Sequence, residues 1–241
     1  MKIILFSDIH ANWPAFEKAL ARIDEEKPDA IYCLGDLVGY NVWPNEVIDE
    51  IRRRGIATIA GNHDAKVKGM SEDKLNEPGK NFAYKIITEE NKRYLATLPA
   101  HIRVEYKINN TVLTILLVHG SPFSNEEYLL EDKPESEFID VFKNAKADIL
   151  CFGHSHKPYY RKLIDVNIPG KVMHAINTGS VGKPKDGNPQ SGFVILNLEY
   201  DGSISMDVQF IRFDYDINKA MNGIHESSIP NEFADMLLKS Y

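Results

Sequence analysis

The chain is expected to adopt an α/β layered fold, and three observations carry that expectation. Short apolar runs recur at residues 3–6, 30–34, 56–60, 112–118 and 149–152, each stopped by Gly, Asp, Asn or His. Runs that are continuous rather than alternating suit strands buried on both faces. Helical patterns stand between the first three runs, so the order is strand, helix, strand, helix, strand. From residue 158 onward the texture changes to strands separated by turns, which suggests an antiparallel half.

The elements follow in chain order. After the first strand, Ala15, Phe16, Ala19, Leu20 and Ile23 form one helical stripe with Pro14 in the first turn. Residues 45–53 give a second short helix, 79–98 a longer one and 134–144 another. Strands are expected at 159–164, 171–176, 193–198 and 203–213, with Asp201-Gly202 as a hairpin turn. Residues 218–241 carry two helical patterns broken near Pro230. No linker or internal repeat interrupts the chain. It is expected to be a single domain, 1–241, with a helical tail, 214–241, packed on it.

Composition narrows the function. A chain of 241 residues with 43% hydrophobic and 26% charged residues has the balance of a globular protein with a substantial core. No apolar run nears the roughly 20 residues that span a bilayer. Residues 3–6 are too soon interrupted by Asp8 to resemble a signal peptide, so a cytoplasmic location without a membrane partner is expected. The two cysteines, Cys33 and Cys151, sit in apolar runs and suit buried, reduced packing residues. A net charge of −7 disfavours extended nucleic acid as a partner, because that binding rests on phosphate neutralisation. A small phosphate-bearing ligand at a local positive centre remains compatible.

The chemistry gathers at the strand ends. Asp8-Ile9-His10 follows the first run, Gly35-Asp36-Leu37-Val38-Gly39 the second, and Gly61-Asn62-His63-Asp64 the third. His119-Gly120 and Gly153-His154-Ser155-His156 end the next two. In open α/β sheets ligands bind beyond the carboxyl ends of strands, so the five groups should converge. Carboxylate, imidazole and amide oxygen suit divalent metals of intermediate hardness such as Mn²⁺, Fe²⁺ or Zn²⁺. Asp8/His10 and His154/His156 are i, i+2 pairs, which in extended backbone leave on the same side. Five of the eight histidines lie in these groups.

The chain closely resembles the calcineurin-like metallophosphoesterases, whose pattern D-x-H, G-D-x-x, G-N-H-D/E, H-G and G-H-x-H stands here complete and in order. The compact prokaryotic branch is the nearest match, through Ser7 to Asn12, Gly35 to Tyr40, Pro44 to Val47, His119 to Pro122 and Asn177 to Gly182. The resemblance implies a two-sheet β-sandwich core flanked by helices in four layers. It implies two divalent metal ions (Mn²⁺, Fe²⁺, Ni²⁺ or Zn²⁺) bridged by Asp36. One would be held by Asp8, His10 and His156, the other by Asn62, His119 and His154. His63 would protonate the leaving oxygen, oriented by Asp64, although Asp64 reads equally well as a structural turn residue. The two metals would activate a hydroxide for in-line attack on phosphorus, without a protein nucleophile.

Gly39-Tyr40 and Ala60 stand where the superfamily's protein phosphatases carry phosphate-gripping arginines. The expected substrates are therefore small phosphoesters, a phosphodiester ahead of a monoester. The rival readings are a dinucleoside polyphosphate hydrolase or nuclease, and a non-catalytic metal-binding scaffold. The branch's usual proline is Thr178 here, a change in a turn. Asn12 is chiefly a helix cap, with substrate contact as its second possible role. Ser180, Lys183 and Lys185 border the expected site, the lysines by default on a solvated loop. Tyr40 and Trp43 are expected to pack rather than stack on a base. Residues 121–132, with Phe123 and Tyr128, form either a flap or an ordinary loop. His101, His174 and His225 fall outside the motifs.

Overall fold

The computed structural model describes residues 1–77, 79, 81–108, 111–165, 168, 170–201 and 204–241. Strand β1 (Lys2–Phe6) is central in the first sheet and parallel to β2 (Ala30–Cys33), which pairs with the short parallel β3 (Ala57–Thr58). On the other side β1 runs antiparallel to β9 (Ser191–Tyr200), whose outer neighbour is β10 (Ile204–Phe213). The second sheet has the order β4 (His101–Ile108), β5 (Thr111–Val118), β6 (Ile149–Phe152), β8 (Val172–Asn177), β7 (Tyr159–Ile164).

The apolar runs serve two faces at once. Ile3 and Leu5 meet Leu117, Ile149, Cys151 and Val194 between the sheets, whereas Ile4 and Phe6 face outward. That outer face is covered by α1 (Trp13–Glu26) and α2 (Pro44–Arg54), through Phe16, Leu20, Ile23, Val47 and Ile51. On the second sheet, Leu150 and Phe152 turn to α7 (Glu135–Ala145), which presents Phe138, Val141 and Phe142. The result is four layers, helix, sheet, sheet, helix. Each such buried side chain contributes about 1.5–3 kcal/mol relative to exposure. Cys33 and Cys151 are buried free thiols within these layers. The tail helices α8 (Ile217–His225) and α9 (Glu232–Lys239) pack on one another, and α8 also lies against α1.

Three expectations are corrected. Residues 79–98 are not one helix but α5 (Phe82–Ile86) and α6 (Glu89–Leu95). Between them the β-branched Ile87 and Thr88 are extended, and the Thr88 hydroxyl caps α6 by accepting the Asn91 N–H. Asn45 Oδ1 also accepts the Thr88 N–H at 3.0 Å, which ties the break to α2. Strand β4 had not been expected, although Ile102, Val104 and Tyr106 alternate with Arg103, Glu105 and Lys107 and turn towards the inter-sheet core. The late half is also not wholly antiparallel, because β8 pairs in parallel with β6. Gly202 of the expected hairpin turn lies outside the described residues.

Parallel pairing is what builds the site. The carboxyl ends of β1, β2 and β3 in one sheet, and of β5, β6 and β8 in the other, come out on one rim. Backbone bonds tie the loops there, with Asp8 N donating to Gly35 O at 3.0 Å, Gly153 N to His119 O at 2.9 Å and Val181 N to Ser7 O at 3.0 Å. Among the described residues no helix is long and apolar enough to cross a membrane.

Candidate metal centre

All seven residues expected to bind metal meet at this rim. Asp8, His10 and His156 form one group of converging ligand atoms, and Asp36, His119 and His154 another. Asn62 joins the second group, its Oδ1 3.1 Å from His119 Nε2. The i, i+2 pairs reach it by a different backbone from the one expected. Asp8, His10, Asp36, His154 and His156 all have φ between 51° and 65°. These are left-handed rather than extended residues, a cost that clusters at functional sites. Close chain approach leaves no room for larger residues. A Cβ on Gly61 would lie 2.0 Å from Asp36 Oδ1, and one on Gly153 2.5 Å from Asp8 Oδ2.

Proton placement makes the site attractive to a cation. His10 Nδ1 donates to Val38 O at 2.9 Å, His119 Nδ1 to Leu34 O at 2.8 Å, and His156 Nδ1 to Lys183 O. A carbonyl can only accept, so each neutral ring carries its proton on Nδ1 and a bare lone pair on Nε2. His10 and His156 then face each other through Nε2 atoms only 3.1 Å apart, with Asp8 Oδ1 3.2 Å from His156 Nε2. Three lone pairs thus converge. Asp8 Oδ1 and His154 Nε2 are buried with no hydrogen-bond partner among the described residues. Asp8 Oδ2, by contrast, accepts from Ser7 Oγ and His154 N. The donor set therefore fits divalent metal ions of intermediate hardness.

Asp36 stands between the two groups. Its Oδ1 accepts the His63 N–H at 2.8 Å, and its Oδ2 lies 3.3 Å from His119 Nε2 and 3.7 Å from His10 Nε2. Burial opposes charge on Asp36, yet His119 and His63 hold its carboxyl well below the usual range. Burial likewise opposes charge on His119, but the Asp36 carboxylate pushes its imidazole up to about 10, so a cation at His119 Nε2 would replace a proton held there against Asp36. His156 is held neutral, lowered to about 4 chiefly by burial.

His63, at the start of α3 (Asn62–Val67), lines the cavity over these ligands but is not held as expected. Asp64 does not orient it. The Asp64 carboxylate is buried and accepts backbone N–H bonds from Asp36 at 2.8 Å, Leu37 at 2.9 Å and Gly61 at 2.9 Å. Consecutive helical side chains diverge, so sequence adjacency to His63 did not mean contact. His63 Nδ1 is instead bonded to the hydroxyl of Tyr84 in α5, whose ring lies nearly parallel to the imidazole. Tyr84 escaped the sequence reading because its separation from His63 carries no motif. Burial lowers His63 to about 3.

Asn12 caps α1 as expected, and neither Asn12 nor Ser180 offers its side chain to the cavity. Asn12 is fully buried, caps α1 through Ala15 N at 3.2 Å and donates to Gly182 O at 2.8 Å. Ser180 is buried as well, donating to Asp8 O and accepting from Lys183 N, both at 2.8 Å. Both side chains are committed to the scaffold beneath the ligands. The lysines lie closer to the site than a solvated loop would put them. Lys183 is buried, and Lys185 lines the cavity with its ammonium 5.9 Å from the Tyr40 ring. Burial lowers both pKa values.

Tyr40 packs at 4.6 Å from His10 and 4.9 Å from His63. Trp43 packs against Gly223, whose added Cβ would come within 2.5 Å of the indole. In segment 121–132, half-exposed Tyr128 stacks on His154 at 4.1 Å and Glu126 accepts from Asn62 Nδ2 at 3.3 Å, so this loop walls the site. Lys66 lines the same cavity and pairs with Glu126 at 3.6 Å. The cavity measures about 190 Å³, the scale of a phosphoryl group with its first neighbours.

Comparison with known proteins agrees with this geometry. The profile of the calcineurin-like phosphoesterase superfamily domain matches residues 1–201. The chain is 32% identical to an uncharacterised protein of Methanocaldococcus jannaschii over 98% of this chain and 96% of that one. It is 25% identical to the phosphodiesterase YfcE of Escherichia coli K12, over 90% and 99% respectively. A metallophosphoesterase from Sphaerobacter thermophilus superposes with a TM-score of 0.78 at 25% identity, covering all of both chains. The strand-end ligand groups, the two-sheet sandwich and these matches together make the chain a phosphoester hydrolase of the calcineurin-like phosphoesterase superfamily, in its compact prokaryotic branch.

Proposed function

We propose that the chain is a two-metal phosphodiesterase acting on small phosphoesters in the cytoplasm. The observation carrying this reading is the position of Asp36 Oδ2, within 3.3 Å of His119 Nε2 and 3.7 Å of His10 Nε2. In this reading Asp8, His10 and His156 would hold one ion, Asn62, His119 and His154 would hold the other, and Asp36 would serve both. Divalent ions there supply Lewis acidity to the phosphoryl oxygens and acidify water. The chain's own groups do the rest. Lys66 and Lys185 attract the anionic substrate, and Tyr128 and Glu126 narrow its approach. Tyr84 fixes the His63 ring through Nδ1, which leaves Nε2 for the leaving oxygen. An anionic phosphoryl beside that ring offsets its burial and favours the imidazolium, the form that can donate. Hydrolysis joins the water oxygen to phosphorus, breaks the bond to the leaving oxygen and delivers a proton to it.

The diester preference rests on a cavity that carries no arginine among its described lining residues, which suits a singly charged phosphodiester better than a dianionic monoester. Turnover should appear with Mn²⁺, Ni²⁺, Zn²⁺ or Fe²⁺ and vanish on chelation. A panel of phosphomonoesters, cyclic nucleotides and aryl diesters, run with each metal, tests it. Monoesters outpacing every diester would refute the preference, and no turnover with any metal would refute the reading.

A further inference from the structure

Beside the metal-lined cavity lies a larger one of about 620 Å³, within the ~300–1,000 Å³ typical of small-molecule sites. The two share Tyr40, His63 and Lys66, so His63 stands at their junction. Their walls differ in chemistry. The smaller is lined by metal-ligating and charged groups, whereas the larger adds the apolar and aromatic faces of Met70 and Tyr84 to the shared Tyr40, with Lys74, Glu77 and Asn81 on the same wall. Met70 packs against the core and Tyr84 is buried and bonded to His63, so both surfaces are held in place.

Building on the phosphodiesterase reading above, we infer that the larger cavity receives the leaving group, and that this group is an alcohol bearing an aromatic ring system. The phosphoryl group belongs in the small polar cavity, where the ligands and lysines are. The bond that breaks runs from phosphorus to the oxygen that His63 protonates, so this oxygen sits at the junction. Whatever is attached to it continues past His63, into the space walled by Met70 and Tyr84. Thioether and phenol faces favour a flat aromatic ring there over a purely polar group. In the reaction water oxygen bonds to phosphorus and the leaving oxygen keeps the bonding pair and takes a proton from His63. The proton lost by water passes to solvent, from which His63 is reprotonated.

The test compares methyl phenyl phosphate with methyl 2-naphthyl phosphate on the metal-loaded enzyme, wild type and the narrowing variants Met70→Trp and Lys74→Trp. The naphthyl-to-phenyl ratio of kcat/KM should fall about tenfold or more in each variant, the scale of steric discrimination in an apolar pocket. An unchanged ratio, including equal losses on both esters, would overturn the inference. Product inhibition of the wild type needs no variant to fold: 2-naphthol should compete more tightly than phenol, and equal or weaker competition would overturn it too. A metal-loaded wild type that hydrolyses neither ester nor any other phosphoester sinks the functional reading instead.

Discussion

Two walls of the site are built on different principles. The strand-end wall, carrying Asp8, His10, Asp36, His119, His154 and His156, is buried, left-handed at five positions and held by backbone carbonyls on the imidazoles. The short-helix wall, from α3 through α5, sets the half-buried His63 beside the buried Tyr84 and holds its ring through the Tyr84 hydroxyl and the flanking Tyr40 ring. The first wall holds its ligand geometry through backbone contacts, at the cost of several strained residues. The second wall is shaped by packing between small helices and opens onto the larger cavity. Ligation demands rigidity; accommodating a leaving group tolerates variation. The difference predicts that substitutions in the first wall act through metal content and those in the second through turnover.

The sharpest test of that division is Asp36→Asn. It should empty both metal positions by elemental analysis and lower activity more than any change on the helical wall; a retained pair of ions would break the bridging assignment. His63→Ala should reduce turnover by about 10²–10⁴-fold, the range of general acid catalysis, with metal content unchanged. A drop in bound metal instead would move His63 to the first wall.

Asp64→Ala tests the buried linchpin between the walls. It strips the acceptor from three backbone N–H groups, and each unsatisfied group costs about 1–3 kcal/mol. A marked fall in Tm is therefore expected, and normal stability with lost turnover would restore Asp64 to the role of orienting His63. Tyr84→Phe should have the smallest effect, a fall in kcat of up to about tenfold at unchanged metal content, as expected for one hydrogen bond. A wild-type kcat would show that packing alone sets the ring.

Much of the first wall was legible because its chemistry is local. Asp-x-His and His-x-His place ligands within three residues, and Gly35, Gly61 and Gly153 mark where chains crowd together. The second wall was misread for the opposite reason. The resemblance implies that Asp64 orients His63, but its position in the first turn of α3 aims the carboxylate back at Gly61 N–H and across to Asp36 and Leu37. Tyr84 lies in a stretch expected to be mid-helix, and nothing about Phe82-Ala83-Tyr84 signals a partner 21 positions earlier.

Asn12 and Ser180 sit at conspicuous motif positions, yet burial commits both to the backbone of the loops they hold. β4 carries its alternation between charged residues, and no continuous apolar run marks it in the sequence.

By itself, then, the order of residues determined the α/β layering, the donor chemistry and the strand ends on which it sits. These depend on periodicity and on contacts a few residues apart, which are written into adjacent positions. The tertiary structure alone decided which oxygen of Asp36 lies between the two ligand groups, which residue holds His63 and what space lies beyond it. Those outcomes depend on elements brought together from far apart in the chain, as His10 and His156 are across 146 positions, and only the packed layers set that geometry.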